Sequence, residues 1–167
     1  EEIMMISKYL TVPDRELHYT EWGAGHAGTV VMWHGLARTG RDFDDIASAL
    51  SDRYRVLCPD TLGRGLSQWS PRPEIEYSVG FYTRLAVAFV DALGVGTMRW
   101  LGTSMGAMIG TAAAAGPLKG RITHLVLNDM GPKIGDAALA RITAYAGNPA
   151  QFDRISELEA YFRTIYK

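Results

Sequence analysis

The sequence predicts an α/β fold with a mostly parallel sheet flanked by helices. Short apolar segments such as Thr29–Trp33 alternate along the chain with segments whose apolar residues recur at helical spacing. A continuous apolar run is typical of a parallel strand that is covered on both faces. Turns containing glycine follow several of these runs, as expected where strands connect to helices. Alternating strands and helices are the pattern of an α/β layer.

The predicted strands come in a regular order. They are Met4–Thr11, Glu16–Trp22, Thr29–Trp33, Tyr54–Cys58, Met98–Leu101 and Ile122–Leu127. The first two surround the turn-forming pair Pro13-Asp14, so we expect them to form an antiparallel hairpin at an edge of the sheet. A long loop rich in Gly, Ser and Pro is predicted from Pro59 to about Glu74.

The predicted helices differ in character along the chain. Apolar residues at i, i+3, i+4 and i+7 predict an early helix containing Phe43, Ile46, Ala47 and Leu50, and a longer one runs from Tyr82 to a stop at Gly94. Small residues fill a third helix, Met105–Ala115. Two amphipathic helices, Ala137–Tyr145 and Ser156–Tyr166, then follow without a strand between them. We therefore predict an α/β layer over residues 1–131 and a helical segment over residues 132–167.

Composition and charge narrow the classes of function. The 167 residues are 47% hydrophobic and 21% charged, which argues against disorder. With 17 basic and 18 acidic residues the net charge is −1, so no broad electrostatic surface for nucleic acid is expected. No stretch approaches the roughly 18 apolar residues that a membrane span needs. Neither nucleic acid nor membrane is expected as a partner.

Cysteine and glycine patterns indicate the compartment and the absence of cofactors. Cys58 is the only cysteine and cannot form an internal disulfide. The chain begins Glu1-Glu2, with no secretory signal visible, so a cytoplasmic location is expected. No Cys/His cluster has metal-ligand spacing, and Gly63-x-Gly65 lacks the full dinucleotide fingerprint. We expect neither a metal nor a cofactor.

The segment Gly102-Thr103-Ser104-Met105-Gly106 matches G-x-S-x-G. It follows an apolar strand and opens a helix, which is the setting of a nucleophile elbow. Such a turn holds the serine hydroxyl clear of the sheet, and Gly102 and Gly106 leave room for neighbouring backbone. The alternative is an ordinary Gly-rich turn in which Ser104 caps the helix.

Three motifs together resemble the α/β-hydrolase superfamily, in its serine-hydrolase branch. They are His34-Gly35, the segment Pro59–Ser67, and the elbow at residues 102–106. Each follows a predicted strand, in the expected order, at the edge where open α/β sheets build their sites. The resemblance implies that Ser104 is the nucleophile and that the backbone amides of Leu36 and Met105 form the oxyanion hole. It gives His34 a structural role and makes residues 132–167 the start of a helical cap.

The resemblance also implies a catalytic acid and a histidine after Ser104, and residues 105–167 do not contain both in that order. A serine nucleophile needs a base, and in this family an acid and then a histidine follow the serine. Among the four histidines only His124 comes after Ser104, and it lies near the start of a strand, away from the site. Asp129 ends that strand on the site side and could be the acid, although turn capping alone also explains it. We expect the last two strands, the acid and the histidine to come from sequence beyond residue 167, carried by a second polypeptide.

The expected activity is cleavage of small carboxylic esters or lactones through an acyl-enzyme on Ser104. A serine at this position argues against dehalogenases and epoxide hydrolases, which use aspartate there. Alternatives within enzymes are a C–C bond hydrolase, a thioesterase or a cofactor-free perhydrolase. A ligand-binding, receptor-like protein and an inactive fragment are the alternatives outside catalysis. The loop residues Arg38, Arg41 and Arg64 could bind a substrate carboxylate or simply face solvent.

Overall fold

The computed structural model describes residues 5–131, 135–146 and 150–165. The chain divides into two compact units, Glu1–Met130 and Gly131–Lys167. The sequence predicts this division between residues 131 and 132, one residue after the division in the structure. Met4 and Tyr166, the predicted ends of the first strand and the last helix, lie outside the described residues, as does Pro132.

The first unit is built on a six-stranded sheet, as predicted. Its strands are β1 (Ile6–Thr11), β2 (Glu16–Trp22), β3 (Thr29–Trp33), β4 (Arg55–Pro59), β5 (Met98–Thr103) and β6 (Ile122–Asn128). Their spatial order is β1-β2-β4-β3-β5-β6. β1 pairs antiparallel with β2, and β2 pairs antiparallel with β4, whereas the remaining neighbours are parallel. The prediction of a mostly parallel sheet with an antiparallel hairpin at one edge is confirmed.

Helices in the first unit follow the predicted pattern with one exception. They are α1 (Asp44–Leu50), preceded by a 3-10 turn at Gly40–Phe43, then α2 (Pro73–Glu76), α3 (Val79–Ala92) and α4 (Met105–Ala115). The prediction of an irregular loop to about Glu74 was wrong at its end. Pro73 occupies the first position of α2, where its missing N–H costs nothing, and Glu76 is buried in an ion pair with Arg15.

Two apolar layers cover the sheet. On one face, Trp33 and Trp100 stack with ring centroids 5.4 Å apart, and the Phe89 ring of α3 meets Trp33 edge-on at 6.2 Å. On the other face, Met32 and Val56 pack with Ala47 of α1 in a second buried cluster. Every residue of β3 is buried, as expected for a central parallel strand.

Strand β6 differs from β3 because two of its apolar residues, Val126 and Leu127, are exposed. Val126 is 52% and Leu127 is 40% exposed, and these consecutive residues point to opposite faces of the sheet. Within the part of the chain that the structure describes, β6 pairs with β5 alone. Both faces of this edge strand therefore present apolar side chains.

The second unit contains α5 (Asp136–Ala146) and α6 (Ile155–Ile165). Both lie within one residue of the predicted bounds. Exposed ion pairs such as Arg163 with Glu159, four residues apart, support α6 along its polar face.

Candidate active site

The turn between β5 and α4 holds Ser104 in a strained conformation. Its φ of 50° and ψ of −112° lie outside the regions that a side-chain-bearing residue ordinarily adopts. Hydrogen bonds hold this geometry in place: the Ser104 amide donates to the Asn128 carbonyl at 3.0 Å, and the Ser104 carbonyl accepts from Ala107 at 2.9 Å. The strain presents the serine at the carboxyl end of the sheet, as in a nucleophile elbow.

Gly102 and Gly106 are required by the same turn. A Cβ at Gly102 would overlap the Gly106 carbonyl, and a Cβ at Gly106 would overlap the Trp33 carbonyl at the end of β3. In both cases the neighbour is backbone, which cannot move aside as a flexible side chain could. The two glycines thus allow α4 to pack directly against β5 and β3.

Two backbone amides belong to segments that adjoin Ser104. Gly35 approaches it closely, since a Cβ at Gly35 would be 3.6 Å from the Ser104 Cβ, and Leu36 follows Gly35. Met105 is the first residue of α4, where an amide has no acceptor within the helix. Among the described residues, neither the Leu36 nor the Met105 amide donates a hydrogen bond to another protein group. Both donors are therefore available to a bound oxygen atom.

His34 is held by the loops around it. The Thr61 amide donates to its Nε2 at 2.9 Å, and its Nδ1 lies 2.7 Å from the Gly35 carbonyl oxygen. This pattern places the proton on Nδ1 and makes Nε2 an acceptor. Burial lowers the pKa of the imidazole, which favours the neutral ring. With both ring nitrogens engaged, His34 orients the loop that carries Leu36 and is not placed to deprotonate Ser104.

Thr61 links His34 to the core. Its hydroxyl oxygen accepts from the Trp33 indole at 2.8 Å and lies 3.0 Å from the His34 Nε2. Sequence inspection missed this role, although Thr61 lies within the Pro59–Ser67 motif.

Asp129 and His124 lie at opposite ends of β6. Asp129 follows the strand with a φ of 53°, is exposed, and comes directly after Asn128, whose carbonyl bonds the Ser104 amide. His124 pairs in register with Arg99, five residues before Ser104, which corresponds to about 16 Å along a strand. The structure therefore brings Asp129, but not His124, to the end of the sheet where Ser104 lies.

Asp60 is the buried carboxylate that joins the loops behind the site. Its oxygens accept from the Gly40 amide at 2.7 Å and the Leu66 amide at 3.0 Å, and Oδ2 lies 2.7 Å from the His18 Nδ1. The Pro59-Asp60 pair of the motif was a visible signal for this residue, but its partner His18 is 42 residues away. Pattern alone did not reveal the pair.

The loop arginines are engaged with protein groups. Arg38 pairs with Asp42 and Arg41 with Asp44. Arg64 donates to the carbonyl oxygens of Leu36 and Leu62.

The described part of the chain contains no group of three or more His, Cys, Asp or Glu side chains placed to hold a metal ion. None of its helices is long and apolar enough to cross a membrane. Cys58 is buried, and burial raises the pKa of its thiol to about 12, so it is not a reactive nucleophile.

Known proteins share this architecture. The 3-hydroxybutyrate-oligomer hydrolase of Cupriavidus necator is 45% identical to the chain over 148 residues, which are 88% of this chain and 50% of that protein. The 2-(acetamidomethylene)succinate hydrolase of Mesorhizobium japonicum is 28% identical over 162 residues, covering 96% of this chain and 56% of that protein. A solved α/β hydrolase from Novosphingobium aromaticivorans superposes with a TM-score of 0.80 at 32% identity, covering 92% of this chain and 54% of that one.

The chain spans about half the length of the curated relatives it matches. A family model described as the alpha/beta hydrolase fold matches residues 28–156. Together with the sheet order and the strained elbow, this match shows that the chain belongs to the alpha/beta hydrolase fold family.

Proposed function

We propose that the protein is a carboxylic-ester hydrolase in which Ser104 is the nucleophile. The observation that carries this proposal is the strained Ser104 lying beside two backbone amides, those of Leu36 and Met105, that have no acceptor among the described residues. A hydroxyl clear of the sheet next to two free donors suits attack on a carbonyl carbon whose oxygen becomes negatively charged.

The chemical steps follow from this arrangement. A base takes the Ser104 proton as Oγ bonds the carbonyl carbon, and the two amides bind the resulting oxyanion. The ester C–O bond then breaks, the alcohol leaves with the proton, and water releases the acid from the acyl-serine. Removing one such donor typically slows the reaction about 100- to 1000-fold.

The base and its acid belong, in this proposal, to sequence beyond residue 167, carried by a second polypeptide. Among the described residues no histidine ring hydrogen-bonds Ser104. His18 and His34 have other partners, His124 lies at the far end of β6, and His26 precedes β3, at the opposite end of that strand from Gly35. The exposed apolar residues of β6 support further strands pairing there. Asp129, which follows β6 at the end of the sheet where Ser104 lies, is the alternative for the acid.

Substrate class is inferred from the relatives. The 45% identical hydrolase acts, by its name, on 3-hydroxybutyrate oligomers, which are chains of carboxylic esters. We therefore favour linear hydroxy-acid esters over lactones. The single buried thiol, Cys58, is consistent with action in the cytoplasm.

Labelling and mass measurements test this proposal. Intact-mass spectrometry of the denatured protein shows whether a second polypeptide accompanies the 18.3 kDa chain. A fluorophosphonate probe should then label Ser104 in the whole assembly, and hydrolysis of a 3-hydroxybutyrate dimer should disappear in Ser104→Ala. The control Ser156→Ala, an exposed serine of α6, should leave hydrolysis unchanged. Ester turnover that persists in Ser104→Ala would overturn the proposal. Acylation without turnover would favour a ligand-binding protein.

A further inference from the structure

A second serine, Ser7, is hydrogen-bonded to a histidine, His18, which is hydrogen-bonded in turn to the aspartate Asp60. The Ser7 Oγ lies 2.7 Å from the His18 Nε2, and the His18 Nδ1 lies 2.7 Å from the Asp60 Oδ2. Ser7 on β1 is paired with Thr20 and His18 on β2 with Tyr9, so Ser7 and His18 are diagonal neighbours on one face of the hairpin. None of the three belongs to the elbow around Ser104.

The surroundings of Asp60 determine which atoms donate and which accept in the Ser7–His18–Asp60 series. Asp60 is buried and accepts hydrogen bonds from the Gly40 and Leu66 amides, so donors surround a carboxylate that only accepts. His18 is also buried, and its Nδ1 faces that carboxylate, which places the ring proton on Nδ1. The Nε2 is left as an acceptor for the Ser7 hydroxyl. This is the order of contacts by which a histidine activates a serine.

The Ser7 end of the Ser7–His18–Asp60 series faces solvent rather than the core. Ser7 is exposed, and together with His18 and Asp60 it lines a cavity of about 300 Å³. Thr39 and Arg41 line the same cavity. A compact electrophile can therefore reach the Ser7 hydroxyl, in a cavity that Arg41 lines while its guanidinium pairs with Asp44.

We propose that Ser7 is a second nucleophilic serine, which takes acyl or phosphonyl groups from activated electrophiles. As Oγ bonds the carbonyl carbon or phosphorus, its proton passes to the His18 Nε2. The bond to the leaving group breaks with its electron pair, and fluoride or alkoxide departs. The product is an ester of Ser7. The complete series lies within this chain, so the proposal does not depend on Ser104 or on groups beyond residue 167.

The test compares the rates at which different serines of the same protein are labelled. Trypsin cleaves after Lys8, Arg99, Lys119, Arg154 and Arg163 and so separates Ser7, Ser104 and Ser156, each of which is the only serine within residues 1–8, 100–119 and 155–163 respectively. The Ser104→Ala protein is treated with a fluorophosphonate and digested, and modification of each peptide is followed over time. Ser156 serves as the internal standard, because it is exposed and, among the described residues, no histidine hydrogen-bonds it.

We expect Ser7 to be modified about 100-fold faster than Ser156, the usual contribution of a positioned general base. His18→Gln should reduce the Ser7 rate toward that of Ser156. Because His18 is buried, circular dichroism of this variant is recorded alongside, and the Ser7-to-Ser156 comparison needs no variant at position 18. Equal rates at Ser7 and Ser156 in the folded Ser104→Ala protein would overturn the proposal. A failure of Ser104 to react in the unsubstituted protein would bear only on the proposed function.

Discussion

Arg64 donates from its Nε to the Leu36 carbonyl oxygen at 2.9 Å and so ties the loop after β4 to the loop after β3. Its Nη1 donates to the Leu62 carbonyl and to the Tyr82 hydroxyl, and the guanidinium lies 5.4 Å and 5.3 Å from the ring centroids of Tyr77 and Tyr82. The Leu36 amide is one of the two proposed oxyanion donors. Arg64 is therefore a positioning residue for that donor rather than a ligand for substrate.

Arg64→Gln should lower the kcat for ester hydrolysis about tenfold, less than the 100-fold loss typical of removing a donor outright. KM should change little, because the amide binds charge that develops only in the transition state. Steady-state kinetics of the whole assembly measures both constants. Arg53→Gln is the matched control, because Arg53 is an exposed arginine that pairs with its neighbour Asp52. An unchanged kcat in Arg64→Gln would contradict this role.

Gly106→Ala should destabilise the fold by about 3 kcal/mol, because the new methyl group would overlap the Trp33 carbonyl and force α4 away from β3. Urea unfolding measures the free energy. Gly80→Ala provides the comparison within a helix. A Cβ there meets nothing within 4 Å, so this variant should gain about 0.5–1 kcal/mol from helix propensity. Similar stabilities for the two variants would mean that α4 adjusts freely.

Thr61→Val should cost about 1–3 kcal/mol, because it leaves the buried Trp33 indole N–H without its acceptor and removes one contact of His34. Thermal unfolding followed by circular dichroism measures the stability. Thr11→Val, at the exposed end of β1, is the isosteric control and should stay within about 0.5 kcal/mol of the unsubstituted protein. A loss of stability below about 0.5 kcal/mol in Thr61→Val would show that water replaces the Thr61 hydroxyl as the acceptor for the Trp33 indole.

The ion pair of Glu76 should make stability depend on acid pH. Hydrogen bonds from Arg15, at 2.7 Å and 2.9 Å, with smaller contributions from Ser70 and Arg72, lower the pKa of Glu76 from its usual 4.5 to about 2. Because the folded pKa lies below the unfolded one, the unfolded chain binds more protons between these values. The stabilisation is thus present above about pH 4.5 and is lost as pH falls toward 2.

Urea unfolding between pH 2 and pH 6 checks this expectation. Glu76→Gln should lower stability at pH 6 and flatten its dependence on pH below 4.5. Glu74→Gln, an exposed neighbour on the same helix, should keep the original dependence. A Glu76→Gln protein with an unchanged pH profile would show that other carboxylates control acid unfolding.

Local pattern was sufficient for every strand, for the elbow and for all the described helices except α2. Strand β3 and helix α4 have the bounds that their residues predict, because apolar runs and helical spacing are properties of neighbouring residues. The turn around Ser104 was predictable for the same reason: Gly102 and Gly106 stand at fixed offsets from the serine, and the strain they permit is local. The parallel order of the sheet followed from the alternation of strands and helices.

The contacts that turn these elements into a site depend on tertiary structure. Arg64 reaches Leu36 across 28 residues, and Asp60 reaches His18 across 42. Both contacts exist because β4 lies between β2 and β3, a neighbour relation that no periodicity encodes. The same hairpin register places Ser7 against His18. A histidine, aspartate or arginine side chain could hydrogen-bond many groups of the same kind elsewhere in the sequence. Only the packing of the strands determines which of these groups lies within 3 Å of it.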